Sequence, residues 1–375
     1  MRGIRFLFSG FDIILFSCAL LLSFFGLVTM YTYQGDNFFF DRQLIWIGIA
    51  TVALFLVLIP DYRFLRIGNT GFIWYLIIVA LLILLLIVGD VALGAQRRFD
   101  LGLFSFQPSD PAKLVLIIIL AKYFSKRHTM INDFRHVIVS GIYTFILFGL
   151  IFIQPDFGTA VILFLVWLIM VLVAGINIRH LFTVFLIGAI SFGLLWQFAF
   201  ADYQKTRILT FLNPLEDLQG AGWNAFQSQV AVGSGQLFGK GIGYGTQSKL
   251  LYLPEYQTDF IFAAFAEEWG FAGVIVMFLV FGILIWRILY IATEGSTNFE
   301  SLFAVGVAIL LVSHFFVHIG MNIGVLPVTG LTMPFMSYGG SHLLTTFIAL
   351  GMIMAMRRHG SRRRVARSQE VIAVS

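Results

Sequence analysis

The sequence predicts an all-α polytopic membrane protein: ten transmembrane helices, both termini in the cytoplasm, and one large extracytoplasmic loop between helices seven and eight. Three observations carry this. Apolar runs of bilayer-crossing length recur along nearly the whole chain. Charged residues make up 11% of the 375 positions and hydrophobic ones 59%, with a mean hydropathy of +0.92. A water-soluble fold needs a polar shell that this composition does not supply. Finally, the basic residues sort to one side once the runs are threaded through a bilayer as alternating spans.

The runs lie at 11–31, 43–60, 71–90, 111–125, 137–153, 157–175, 180–200, 260–291, 302–323 and 341–357. The first has the charge order of a secretory signal. Its apolar stretch is longer than the usual signal core and no A-x-A-like site follows, so it reads as a retained span. It holds the single cysteine, Cys18, which excludes an intramolecular disulfide and any cysteine metal site. Span four opens on the helix-start signals Ser109, Asp110 and Pro111. Spans five and six meet at the tight link QPDFGTAV. Residues 201–259 then separate spans seven and eight. A connection this long without regular structure is uncommon and usually functional. Within it, GWNAFQSQVAVGSGQL predicts a short helix lying on the membrane surface. The segment GKGIGYGTQ follows no strand and lacks a lysine-serine end, so it is no phosphate loop.

Span eight opens at Thr258 or Asp259, and the last outer link is LPVTGLTMPFMSYGGSHLL. The basic segment from about 358 to 375 closes the chain, and no regular structure is expected after Arg367. With no internal repeat, the chain reads as one domain over 1–375, which disfavours transporter folds built from inverted repeats.

With the N-terminus inside, the inner segments hold 16 of the 24 lysines and arginines, and the outer ones hold eight. A nine-span count would put the arginine-rich tail outside. The formal charge of +5 does not indicate nucleic acid: the basic residues are spread over cytoplasmic loops, and the tail run directly follows a span, where it fixes orientation and meets anionic lipid.

Against this grain, Arg97 and Arg98 carry positive charge on the outer side, beside the membrane entry that holds Asp110 and Lys113. Charges inside membrane proteins are costly and mark function by default. Asp110, Lys113, Asp156, Asp259, Glu267 and Glu268 all sit at or near outer span ends, which predicts a site reached from outside. Two guanidiniums and an ammonium suit a pyrophosphate. The competing readings are snorkelling arginines and a simple i,i+3 pair between Asp110 and Lys113. For Asp156 the competing reading is a cap on helix six, and for Asp259 a plain N-cap. The functional reading of Asp259 is a carboxylate at a cavity lip, able to take a proton from a hydroxyl. Glu267, about 12 Å further along the helix and about 80° around it, reads as a buried structural partner. The last outer link, with Ser337, lines the site or only turns the chain. His314 and His318 have metal spacing but no third ligand.

Five ordered segments resemble the SEDS family (shape, elongation, division and sporulation): GAQRRFDLG with FQPSDPAK, QPDFGTA, GAGWNAFQSQVAVGSGQLFGKGIGYGTQ, LPEYQTDFIFAAFAEEWG and LPVTGLTMPFMSYGGSHL. The likeness covers roughly 11–357, and GTQSKLLYLPEYQTDF resembles the RodA elongation branch more than the FtsW division branch. The resemblance implies ten helices in the bacterial cytoplasmic membrane and peptidoglycan glycosyltransfer from lipid II, usually with a class B penicillin-binding protein. It places the essential carboxylate on Asp259, a conserved arginine on Arg97 and a conserved lysine on Lys113. Phe99 stands where the family often has tryptophan, and Asp110 where glutamate is usual.

The expectation is therefore an inverting glycosyltransferase that polymerises lipid II at the outer face during elongation and shape maintenance. Asp259 acts as base, and Arg97, Arg98, Lys113 and Lys240 steady the undecaprenyl pyrophosphate. Asp110, Asp156 and Ser337 complete the substrate-binding set. A divalent cation, magnesium or manganese, is left open. The alternatives are a flippase for the lipid-linked precursor, the division or sporulation polymerase, and a scaffold for the penicillin-binding protein.

Overall fold

The computed structural model describes residues 10–31, 38–88, 98–100, 105–127, 133–175, 178–198, 205, 209–211, 221–250 and 252–374. Arg97 lies outside them. In chain order the helices are α1 (Ile13–Tyr31), α2 (Phe38–Val57), the short α3 (Arg63–Ile67), α4 (Thr70–Val88), α5 (Ser109–Ser125), α6 (Arg135–Ile153), α7 (Phe157–Val173), α8 (Ile178–Phe198), α9 (Ala221–Ser234), α10 (Thr246–Lys249), α11 (Ile261–Thr293), α12 (Asn298–Asn322) and α13 (Gly340–Val374). Between α4 and α5, β1 (Phe99–Asp100) and β2 (Ser105–Phe106) pair antiparallel, Phe99 opposite Phe106.

Every predicted run falls on a helix. Among the described residues seven are long and apolar enough to cross a bilayer: α1, α2, α4, α6, α11, α12 and α13 up to Arg358. The architecture is thus an all-α membrane bundle. The shorter α5 is buried on all sides from Leu114 to Ala121, as expected of a helix that is apolar all round and sits at the centre. It packs against α4 and α12, while α13 packs along α2, and α11 lies between α1 and α12. Side chains that face away from this core, such as Ile73, Leu76, Leu279 and Ile283, are apolar and exposed; lipid, not water, suits them.

Two features depart from expectation. The hairpin was not foreseen. And α13 does not end at the span: it continues to Val374, past Arg367. Arginine, alanine, glutamine and glutamate favour helix, and no proline interrupts the run.

The helix α11 is broken at Gly270, whose φ is +64°. The break frees two carbonyls before it and two amides after it. Loop segment 236–241 takes all four: Lys240 and Gly241 N–H donate to Glu267 and Glu268 O at 3.0 and 3.1 Å, and Phe271 and Ala272 N–H donate to Gln236 and Leu237 O at 2.8 and 2.9 Å. A Cβ on Gly270 would overlap the backbone of Phe238 and Gly239, and one on Gly239 would overlap Glu268 O. The glycine-rich stretch thus serves close backbone packing.

At one end of the bundle, Asp12 caps α1 (Leu15 N–H to Oδ1, 3.2 Å) and receives Arg287 Nε at 2.8 Å and Arg357 Nη1 at 2.7 Å. Arg357 also reaches Glu294 at 3.0 Å. This network ties α1, α11 and α13 together. Asp110, Asp156 and Asp259 gather at the other end.

Candidate functional site

Asp259 ends a turn that feeds α11, one residue outside the cap position Phe260. Glu255 organises that turn in a left-handed conformation (φ +50°), and its carbonyl accepts from the N–H of Thr258, Asp259 and Phe260 at 3.1, 3.1 and 3.3 Å. A positive φ on a non-glycine residue is strained and held by its surroundings. The surroundings are explicit. Ser337 Oγ donates to Thr258 O at 2.7 Å, Tyr338 N–H to Gln257 O at 2.8 Å, and Asn322 Nδ2 to Asp259 O at 3.0 Å. Asp259 is half-buried. Its Oδ2 stands 3.4 Å from where a Cβ on Gly330 would lie, an ordinary contact, and it is the φ of +72° that favours glycine there. In the same turn, burial pushes the Tyr256 phenol above its ordinary pKa and keeps it protonated.

The link between α12 and α13 runs irregularly beside these helices, which demands partners for its backbone. Side chains supply them. Thr332 O faces His314 Nδ1 at 3.2 Å, Leu331 O faces His318 Nδ1 at 2.7 Å, and Gln43 Nε2 donates to Ser337 O at 3.1 Å. Ser337 Oγ also accepts from Met333 N–H at 2.8 Å. The buried Ser337 hydroxyl is therefore engaged in holding Thr258 and Met333.

Beneath the link lies a buried polar cluster. Lys113 Nζ contacts Asp110 Oδ1 at 2.8 Å and His314 Nε2 at 3.4 Å; His342 Nδ1 stands 3.4 Å from the same Asp110 oxygen. Asp110, Lys113, His314 and His342 are 4%, 2%, 1% and 6% exposed, so water does not screen the pair. With Nδ1 facing a carbonyl, a neutral His314 carries its proton there and offers the Nε2 lone pair to the ammonium. The segment 330–332 connects the halves: Gly330 borders Asp259, while Leu331 and Thr332 are gripped by the histidines.

The other expected residues are placed as follows. Asp156 caps α7, accepting from Thr159 N–H at 3.3 Å, and its second oxygen takes Gln107 Nε2 at 3.3 Å. Gln107 in turn meets Ser341 at the start of α13. Lys240 binds Glu267 at 2.7 Å; that buried carboxylate also receives Thr246 Oγ1, Gln247 N–H and Ser248 Oγ. Glu267 is the structural partner that the sequence indicates, and it draws Lys240 to itself. Arg98 is exposed next to the hairpin. The structure thus brings Asp110, Lys113, Asp156, Ser337 and Asp259 to one end. Sequence reasoning missed Asn322 and His342, and it read His314 and His318 only as candidate metal ligands. Among the described residues no group of three His, Cys, Asp or Glu side chains is set to hold an ion.

The family model described as Cell cycle protein, which covers FtsW, RodA and SpoVE, matches residues 6–362. Stage V sporulation protein E of Bacillus subtilis (strain 168) is 38% identical over 359 residues, covering 93% of this chain and 97% of that protein. Peptidoglycan glycosyltransferase MrdB of Escherichia coli (strain K12) is 37% identical over 285 residues, 76% of this chain and 77% of that one. Among solved structures, the Rod shape determining protein RodA of Thermus thermophilus is similar with a TM-score of 0.70 and 29% identity, covering 93% and 97% of the two chains. A chain from a peptidoglycan synthase complex that coordinates polymerization and crosslinking reaches 0.80 at 30% identity, covering 93% and 98%. With nearly its whole length matched by one family model and by relatives above 30% identity, the chain belongs to the FtsW/RodA/SpoVE family of cell cycle proteins.

Proposed function

We propose that this chain is a peptidoglycan glycosyltransferase that polymerises lipid II. One observation carries the assignment of chemistry: a half-buried carboxylate, Asp259, whose turn is held by α12 and by the α12–α13 link, in a chain whose relatives include a named peptidoglycan glycosyltransferase. The growing glycan on undecaprenyl pyrophosphate is the donor. The 4-hydroxyl of the acceptor N-acetylglucosamine attacks its C1. Asp259 takes the hydroxyl proton, the C1–O bond to pyrophosphate breaks with its electron pair on the leaving group, and the new C1–O4 bond forms with inversion. Arg97 and Arg98 stabilise the pyrophosphate. Lys113, held by Asp110, contributes its field from a dry setting; Lys240 joins only where its contact with Glu267 gives way.

The wider reading follows the sequence. All ten helices cross the cytoplasmic membrane with both termini inside, loop 201–259 faces outward, and a class B penicillin-binding protein is the partner, as the likeness to a synthase complex supports. Residues 245–260 favour the elongation branch. A sporulation role is the second reading, favoured by the 38% identity to the sporulation protein. Among the described residues no three His, Cys, Asp or Glu side chains are set to hold an ion; polymerisation with and without chelator tells whether magnesium or manganese takes part.

The test is a gel-based polymerisation assay on purified protein with its partner. Asp259→Asn is expected to lower the rate by about 10²–10⁴-fold. Undiminished product removes Asp259 from the chemistry. Headgroup movement across liposomes without glycan growth moves the assignment to a flippase. Restored rod shape in an elongation-deficient strain, against restored spore formation in a sporulation-deficient one, separates the two branches.

A further inference from the structure

Asn322 is the last residue of α12 and is fully buried, at 0% exposure. Its carboxamide uses every hydrogen-bonding position it has. The two Nδ2 hydrogens go to Asp259 O at 3.0 Å and His318 O at 2.8 Å. Oδ1 accepts from Ala263 N–H at 3.2 Å, and the single Ser228 hydroxyl hydrogen is shared between Asn322 O at 2.9 Å and Oδ1 at 3.3 Å. The partners fix which end is nitrogen, because Ala263 N–H only donates and Asp259 O only accepts.

An ordinary helix-terminal asparagine would satisfy its own last turn. This one spends one bond in four on α12. The other three go to Asp259, to an amide in the first turn of α11, and to α9 of the long loop. The first-turn amides of a helix have no intrahelical partner, so Asn322 sets where α11 begins as well as where Asp259 sits.

We propose that Asn322 is a positioning residue for glycosyl transfer: its carboxamide holds the Asp259 backbone at the start of α11 and joins it to α9 through Ser228. No other asparagine bonding pattern is needed, and no near-isostere replaces it. Aspartate at this position cannot donate to Asp259 O, and alanine removes both the donor to Asp259 O and the acceptor of Ala263 N–H.

This rests on Asp259 being the base, so the experiment separates the two ideas. Asn322→Ala and Ser228→Ala are made in the full chain, purified with its partner, and compared with wild type in lipid II polymerisation and in amide hydrogen exchange. A misplacement of about 1 Å costs on the order of 10²-fold. Asn322→Ala is therefore expected to lower kcat by about 10²-fold with KM within about twofold, and to speed exchange selectively over 252–263. Ser228→Ala removes one acceptor's partner and leaves both donors, so a fall in kcat of a few-fold with the same local exchange pattern is expected. Full kcat in Asn322→Ala, a change in KM alone, or unaltered exchange over 252–263 overturns the proposal. Should Asn322→Ala fail to fold, Ser228→Ala decides by the same two readouts. Wild-type protein that does not polymerise lipid II defeats the assignment of function instead, and exchange then decides the positioning claim alone.

Discussion

At the scale of single residues, charge burial sets the hierarchy. Asp110 and Lys113 have side chains 6% and 3% exposed and 2.8 Å apart. Neither can lose its partner cheaply, because an unpaired buried charge has no water to turn to. Asp110→Asn or Lys113→Met alone is expected to cost about 3–5 kcal/mol of stability, while Asp110→Leu with Lys113→Met together restores most of it. Thermal unfolding in detergent checks this. Polymerisation should be lost in all three, since the double variant recovers packing and not charge. A double variant as unstable as the singles would show that His314 and His342, not the pair, dominate the cluster. The sequence made the pair readable through its i,i+3 spacing. It did not reveal His342, which reaches Asp110 from 232 residues away in the chain, nor Asn322, because a lone asparagine at a helix end carries no local signature of three long-range bonds.

At the scale of elements, α11 shows where periodic reading stops. Residues 260–291 look like one uninterrupted span, and a lone glycine inside such a run is ordinary. The break at Gly270 is matched by loop segment 236–241, which satisfies the freed backbone groups from 27 to 35 positions upstream. Gly270→Ala should therefore act in two ways. Alanine resists a φ of +64°, and its Cβ meets the backbone of Phe238 and Gly239. The expected outcome is a released loop: faster hydrogen exchange and earlier proteolysis over 236–250, with a stability loss above about 1 kcal/mol. Protection of 236–250 as in the wild type would mean that the Glu267 contacts alone hold the loop. Those contacts were legible in part, since a charged residue one helical face away from the site reads as a partner. The two-residue strands were not, because four paired residues are too few to show a period.

At the scale of the whole molecule, the two ends of the bundle carry different work. The Asp12 network fastens α1, α11 and α13 at one end, and the gathered carboxylates lie at the other. This division requires the helices to alternate in direction, and it bears on how many of them cross. Seven helices meet the length and apolarity of a span outright. The remaining three, α5, α7 and α8, include two of 17 residues, about 26 Å long at 1.5 Å per residue, close to the hydrocarbon thickness. Counting all ten leaves seven crossings before the long loop and three after it. Counting only the seven leaves four before and three after. The two counts put the loop on opposite sides relative to the N-terminus; the Arg287–Asp12 pair, which joins the end of α11 to the start of α1, supports the odd count before the loop, and a thiol-labelling experiment tests it. Cys18 is buried and can be removed as Cys18→Ser. In that background Tyr244→Cys, at a loop position 71% exposed, is compared with Gly3→Cys and Arg367→Cys in intact cells treated with a membrane-impermeant maleimide. Ten crossings predict that only Tyr244→Cys labels before permeabilisation and that the two terminal positions label after it. An inverted chain, with both termini outside, predicts the reverse pairing, with Gly3→Cys and Arg367→Cys labelled from outside and Tyr244→Cys protected. That result would place the Asp259 end in the cytoplasm, out of reach of a glycan that is assembled on the outer face, and the assigned function would fall with it.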